Sequence, residues 1–364
     1  MVTHKPPRTP AQPAAPLLSV RDLVTEFDTP DGVVRAVDQV SYDVYPGETL
    51  GIVGESGSGK SVTVLTLLGL IPQPPGRVVG GQALFEGRDL LSLEPSKLRA
   101  LRGRDIGMVF QDPMTSLNPV HRVGAQIAEA MTAHRGLSAD EARGETVELL
   151  RRVGVPDPDR RFDEYPHRLS GGMRQRAMVA MAIANGPRLL IADEPTTALD
   201  VTIQAQVMDV LVAAKEETQV ATILITHDLG LIAELADRVV VMYGGRVVEV
   251  GDVLDIFARP RHPYTLGLLS SLPRLDRDSE RLEPIIGQPP SLISIPPGCA
   301  FHPRCRLSRG RERCRSTVPD LAAVDGTGAH RAACHYSDEV AEERRRVEAE
   351  TGADVGAVEK GDTR

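Results

Sequence analysis

The chain has no tryptophan and few other aromatics, six tyrosines and six phenylalanines among 364 residues, so its core must be built mostly from aliphatic side chains. Only four cysteines are present, all between Cys299 and Cys334, which excludes a disulfide framework spanning the chain. In a reducing compartment such a cluster points to metal before disulfides. No predominantly apolar run reaches the length that spans a bilayer. The longest uncharged stretch, Pro284 to Pro303, is broken by six prolines, so any membrane attachment must come through partner proteins. Residues 1–16 carry five prolines and no apolar h-region. They read as a disordered lead rather than a signal peptide, which keeps the protein in the cytosol. Positive charge is also short. A net charge of −8 argues against a nucleic-acid surface.

What is present is an ordinary composition, 41% apolar and 25% charged, in a chain long enough for two or three domains. Short, β-branched segments at Leu17–Val20, Val40–Val44 and Thr49–Val53 predict strands. A helix is expected from Ser61 to Leu70, ended by Ile71-Pro72. The middle, about 112–186, is helix-rich, with helical spacing over Gln126–Ala133, Ala139–Val153 and Arg174–Asn185. Strands return at Leu189–Ala192, Ala221–Thr226 and Arg238–Met242, with a helix over Val201–Glu217. Strands alternating with helices imply an α/β fold with a largely parallel sheet. After about Gly251 proline density rises and the cysteines enter; residues 337–364 form a charged tail with no core face.

Gly54-Glu55-Ser56-Gly57-Ser58-Gly59-Lys60-Ser61 matches the phosphate-loop pattern G-x-x-x-x-G-K-[ST], with a strand before it and a helix after it. Its glycines let successive N–H groups curl around phosphate oxygens, and the helix N-terminus adds positive potential. Lys60 can reach the β- and γ-phosphates, and the Ser61 hydroxyl can ligate Mg²⁺. The apolar run Leu189-Leu190-Ile191-Ala192 ends in Asp193-Glu194, where open α/β sheets bind their ligands. Asp193 suits Mg²⁺, and Glu194 is placed to polarise an attacking water.

Leu169-Ser170-Gly171-Gly172-Met173, followed by Arg174-Gln175-Arg176, resembles the signature of ABC ATPases. Gln111 fits that family's Q-loop, Ala198-Leu199-Asp200 its D-loop, and His227 in Ile225-Thr226-His227-Asp228 its switch histidine. Phe27 falls where the family stacks an aromatic on adenine, with a plain core residue as the alternative. The resemblance implies an ATPase domain over 17–255, with a mostly parallel sheet, an antiparallel β part and a helical subdomain. ATP and Mg²⁺ would lie on Phe27, Gly54, Ser56, Gly57, Ser58, Gly59, Lys60, Ser61, Val62, Gln111 and Asp193, with Ser61, Gln111 and Asp193 at the metal. Glu194, His227 and Gln111 would be catalytic. In the family two cassettes sandwich two ATP molecules, so Ser170, Gly171, Gly172, Met173 and Asp200 would serve the partner's site as well.

Gly54-Glu55-Ser56, Gln111-Asp112-Pro113-Met114-Thr115-Ser116-Leu117-Asn118-Pro119 and Met173 are similar to the peptide and nickel importers, specifically their D-type ATPase subunits. That implies a related F-type ATPase partner, two membrane permeases and an extracytoplasmic binding protein, with the chain peripheral on the cytoplasmic face. The cargo would be oligopeptides or dipeptides, or alternatively nickel or another small solute. A soluble ABC ATPase acting on DNA or ribosomes is the rival, but no second cassette or coiled-coil insertion is evident. His262-Pro263-Tyr264-Thr265 and the cysteine region match the subfamily's C-terminal extension, 256–336. Cys299, Cys305, Cys314 and Cys334 are separated by 5, 8 and 19 residues, too widely for the close pairs of structural zinc. The resemblance implies a [4Fe–4S] cluster there. Zinc, aided by His302, His330 or His335, and free buried thiols remain alternatives. Six arginines between Arg304 and Arg315 are expected to offset the cluster's negative charge.

Overall fold

Strands whose residues are nearly all apolar must be covered on both faces, and that requirement organises the molecule. The computed structural model describes residues 15–112, 116–196, 201–271 and 285–351. The strands are β1 (Leu18–Thr29), β2 (Gly32–Val44), β3 (Thr49–Val53), β4 (Gly76–Phe85), β5 (Arg88–Asp89), β6 (Ile106–Val109), β7 (Leu189–Asp193), β8 (Ala221–Ile225), β9 (Arg238–Tyr243), β10 (Arg246–Asp252), β11 (Ala322–Ala323) and β12 (Arg331–Ala332). The main sheet runs β11-β12-β10-β9-β3-β8-β7-β6, and its five strands from β9 to β6 are parallel. A second, antiparallel sheet runs β2-β1-β4-β5.

Side-chain alternation divides the core in two. Leu50 and Ile52 of β3, Ile223 and Ile225 of β8 and Val240 and Met242 of β9 pack towards the antiparallel sheet, with Leu18, Tyr42 and Phe85. Their neighbours Val53, Leu224, Val239 and Val241 point the other way, into a core shared with helices of the opposite layer. The helices are α1 (Lys60–Leu67), α2 (Pro95–Leu101), α3 (Val123–Arg135), α4 (Ala139–Arg152), α5 (Pro158–Phe162), α6 (Gly171–Ile183), α7 (Val201–Thr218), α8 (Leu229–Leu235), α9 (Val253–Ala258), α10 (Pro263–Ser270), α11 (Glu312–Ser316) and α12 (Val340–Thr351). Of these, α1 and α2 place Val64, Leu67, Leu98 and Leu101 in the first core. No helix among the described residues is long and apolar enough to cross a membrane.

Two differences from the sequence reading have physical causes. Helix α1 ends before Ile71-Pro72, because Gly69 turns into the left-handed region at φ 59° and closes it with a Gly69 N–H bond to Thr66 O. The charged segment after Ser337 does have a core face: α12 buries Val340 and Val347, with the Glu343 side chain buried as well. The cysteine-bearing region is tied into the main sheet through β12, which pairs with β10, and Ala333 N–H donates to Val248 O at 2.8 Å.

Candidate nucleotide site

Four adjacent parallel strands end at one place. The phosphate loop follows β3, His227 follows β8, Asp193 closes β7 just before Glu194, and Gln111 lies just after β6. In the loop, Gly59 occupies the N-cap position of α1 at φ 97°, and no side chain caps the first turn, leaving its N–H groups for an anion. A Cβ at Gly59 would sit 2.3 Å from the Ala36 carbonyl oxygen, and one at Gly54 2.3 Å from that of Met242, so the loop passes against backbone where only glycine fits. The Ser58 hydroxyl is buried without a hydrogen-bond partner among the described residues.

Lys60 is buried, and its Nζ donates to the carbonyls of Gly54 at 2.8 Å and Glu55 at 3.1 Å. Burial lowers its pKa, while Glu194, Asp193 and Glu55 oppose the shift. Ser61 Oγ donates to Asp193 Oδ1 at 2.8 Å. Burial also raises the Asp193 pKa against the Ser61 hydrogen bond and the Lys60 charge. A hydroxyl and a carboxylate oxygen side by side are the hard donors that suit Mg²⁺.

Glu194 takes φ 45°, an uncommon conformation for a glutamate, held by its N–H bond to Ile225 O at 2.9 Å. Its Oε2 accepts from Gln111 Nε2 at 2.9 Å, and His227 Nδ1 lies 3.7 Å from the same oxygen. Gln111 thus bonds the carboxylate that directly follows Asp193. Val62 is half-buried on α1, and Phe27 is half-buried in β1 with its ring against Gly76.

The signature residues stand apart. Ser170 caps α6, its Oγ accepting from Met173 N–H at 3.3 Å, and Ser170 and Gly171 are exposed while Gly172 is buried. Among the described residues no hydrogen bond joins Ser170–Met173 to the phosphate loop. Asp200, with the rest of its motif, lies outside the described residues, as do Pro113, Met114 and Thr115.

Sequence reasoning missed two residues of the extension that reach the loop. Tyr264 Oη accepts the Glu55 N–H at 2.7 Å, and Arg304 forks onto the Glu55 carboxylate at 2.6 and 3.0 Å. Their separations of 209 and 249 residues leave no local pattern from which to find them. Arg304 and Arg311 therefore pair with carboxylates, Glu55 and Glu339, rather than serving only as counter-charge to thiolates.

Cys299, Cys305, Cys314 and Cys334 are free of disulfides and line one small cavity with Phe301 and Leu307. Burial pushes the Cys305 and Cys334 thiols up to about 12 and raises the other two. Among the described residues no three His, Cys, Asp or Glu side chains group closely enough to hold a single metal ion. His302 and His335 also line the cavity, whereas His330 is turned to Glu249, Nε2 to Oε1 at 2.7 Å.

A family described as ABC transporter matches residues 37–197, and one described as oligopeptide/dipeptide transporter, C-terminal region, matches 248–314. A Sinorhizobium fredii protein named as a peptide ABC transporter ATP-binding protein is 52% identical over 325 residues, 89% of this chain and 96% of its own. The dipeptide transport ATP-binding protein DppD of Bacillus subtilis is 53% identical over 289 residues, 79% of this chain and 86% of that protein. Among solved structures, the dimeric post-hydrolysis state of the ATP-binding cassette MJ0796 bound to ADP and Pi is similar with a TM-score of 0.58 at 25% identity. That match covers 65% of this chain and 98% of the other. CbiO1 from Clostridium perfringens, part of the ABC transporter complex cbiONQ, has a TM-score of 0.56 at 30% identity, covering 67% of this chain and 91% of its own.

Proposed function

Because the chain belongs to the ABC transporter ATP-binding proteins of the oligopeptide/dipeptide group, we propose that it hydrolyses ATP to drive import of oligopeptides or dipeptides. The observation that carries the mechanism is the convergence of Gln111 and His227 on Glu194 Oε2, at the end of the sheet where the phosphate loop also lies. Glu194 accepts the proton of the attacking water as the γ-phosphorus–oxygen bond to ADP breaks. Gln111 holds that carboxylate, and the His227 ring, largely exposed, is free to meet the γ-phosphate. Lys60 and the first-turn N–H groups of α1 bind the β- and γ-phosphates. Ser61 and Asp193 would hold Mg²⁺, which draws charge from the phosphate oxygens. Phe27 is assigned to the adenine side.

The exposed N-terminus of α6 supports a site completed by a second ATPase subunit, with Ser170, Gly171, Gly172 and Met173 serving the partner's ATP. The resemblance assigns Asp200, outside the described residues, to the same role and the F type to the partner. Two permeases and an extracytoplasmic binding protein complete the assembly, which places this chain peripherally on the cytoplasmic side. The ATPase part is assigned to 17–255 and the extension to 256–336; the family matches cover 37–197 and 248–314. Four thiols lining one cavity support a [4Fe–4S] cluster on Cys299, Cys305, Cys314 and Cys334, which would supply four metal–thiolate bonds to that region.

The test is the complex purified with its permeases and assayed for peptide uptake. Glu194→Gln should bind ATP yet lose roughly a hundredfold or more in turnover. Near wild-type turnover removes Glu194 from its role, and peptide-independent uptake of another solute removes the peptide assignment.

A further inference from the structure

All three polar groups of Glu55, the second residue of the phosphate loop, are engaged. Its carbonyl accepts from Lys60 Nζ at 3.1 Å, its N–H donates to Tyr264 Oη at 2.7 Å, and its carboxylate accepts from Arg304 Nη1 and Nη2 at 2.6 and 3.0 Å. The first bond belongs to the loop itself; the other two come from the C-terminal extension.

The Arg304 side chain is only 6% exposed, and its fork is fixed on every side. Nε donates to Ile286 O at 3.0 Å, Nη2 to Gly287 O at 3.1 Å and Nη1 to Tyr243 Oη at 3.3 Å. The rings of Tyr243 and Phe301 flank the guanidinium at 5.8 and 6.0 Å. Tyr264 is fully buried with its ring centroid 4.6 Å from that of Tyr243. A planar, bidentate arginine held this way transmits orientation as well as charge. The Glu55 side it holds adjoins the carbonyl that holds Lys60.

We propose that Arg304, assisted by Tyr264, is a positioning residue for ATP: it fixes Glu55 so that the loop's N–H groups and Lys60 keep the arrangement that binds phosphate. The nucleotide site then depends on the C-terminal extension as well as on the ATPase core. This rests on the loop being the ATP site, so Lys60→Ala is included as a reference.

ATP affinity of the full chain is measured by calorimetric titration, with thermal unfolding recorded in parallel. Arg304→Met is expected to weaken ATP binding about tenfold, the size of one lost charged hydrogen-bonding pair, with Glu55→Gln alike. The double variant should lose no more than either single change, since both remove one contact. Arg304→Lys should recover only part of the affinity, because an ammonium cannot fork. In the permease complex the loss should fall on KM for ATP, with kcat within about twofold. Wild-type affinity in Arg304→Met with a lowered Tm, or losses that add in the double variant, overturns the proposal. If Arg304→Met does not fold, Arg304→Lys and Tyr264→Phe decide it, and wild-type affinity in both overturns it. Unchanged affinity in Lys60→Ala instead strikes the site reading itself.

Discussion

Glu194 carries a strained backbone, φ 45°, in a place where a carboxylate gathers a glutamine and sits near a histidine. Strain of this kind costs on the order of 1–3 kcal/mol and persists only where surrounding structure over-determines it, here the Ile225 bond across to β8. The glycines of the loop are constrained from the other direction. Gly59→Ala would place a methyl 2.3 Å from the Ala36 carbonyl at φ 97°, so it should move the start of α1 and abolish measurable ATP binding, with a fall in Tm. Titration with ATP and a melting curve check this; retained affinity would mean that the loop tolerates displacement at its tightest point.

At the scale of elements, α10 shows how one buried group ties the extension together. His262 caps this helix, its Nδ1 accepting from Tyr264 N–H at 3.1 Å, and its own N–H donates to the buried Glu249 carboxylate at 3.0 Å. Burial lowers the His262 pKa from 6.5 to about 3, so the folded protein keeps the ring neutral. The unfolded chain takes up a proton below about pH 6.5 while the folded one does not until about pH 3, so stability falls as pH falls through that window. The slope for one such proton is about 1.4 kcal/mol per pH unit. Compared with His262→Asn, the wild type should therefore lose its advantage progressively between pH 6 and pH 4 in urea unfolding, a range inside the window set by burial of His262. A constant gap between the two proteins would show that His262 titrates alike in both states.

For the whole molecule, the extension is held by β12 on the main sheet, by α10 in the helical core and by Arg304 at the loop, and the segment after it by α12. The thiol cavity lies within that region, lined by residues that also touch this core. Anaerobic purification followed by iron, sulfide and zinc analysis should give about four irons and matching sulfide per chain. Cys314→Ser should abolish that iron and lower Tm, the metal–thiolate bonds having contributed folding stability. One zinc per chain without iron would replace the cluster by a zinc site, and a metal-free chain of unchanged Tm would leave buried thiols only.

Much of this molecule was legible before folding because its signals are local. The G-x-x-x-x-G-K-S spacing prescribes a phosphate loop wherever a strand precedes it, and near-continuous apolar runs such as Leu189–Ala192 and Ala221–Ile225 announce strands buried on both faces. Asp193 and Glu194 could be picked out because a carboxylate pair at a strand's C-terminal end has few bland explanations once a phosphate loop is present. Distance in sequence set the limit. The Glu55 contacts to Tyr264 and Arg304, the core face of α12 and the placing of Gln111 on Glu194 all arise from elements far apart in the chain. Periodicity and motif spacing report what a segment can present on one side; which partner meets that side is decided only when the strands align in one sheet and the helices close over it.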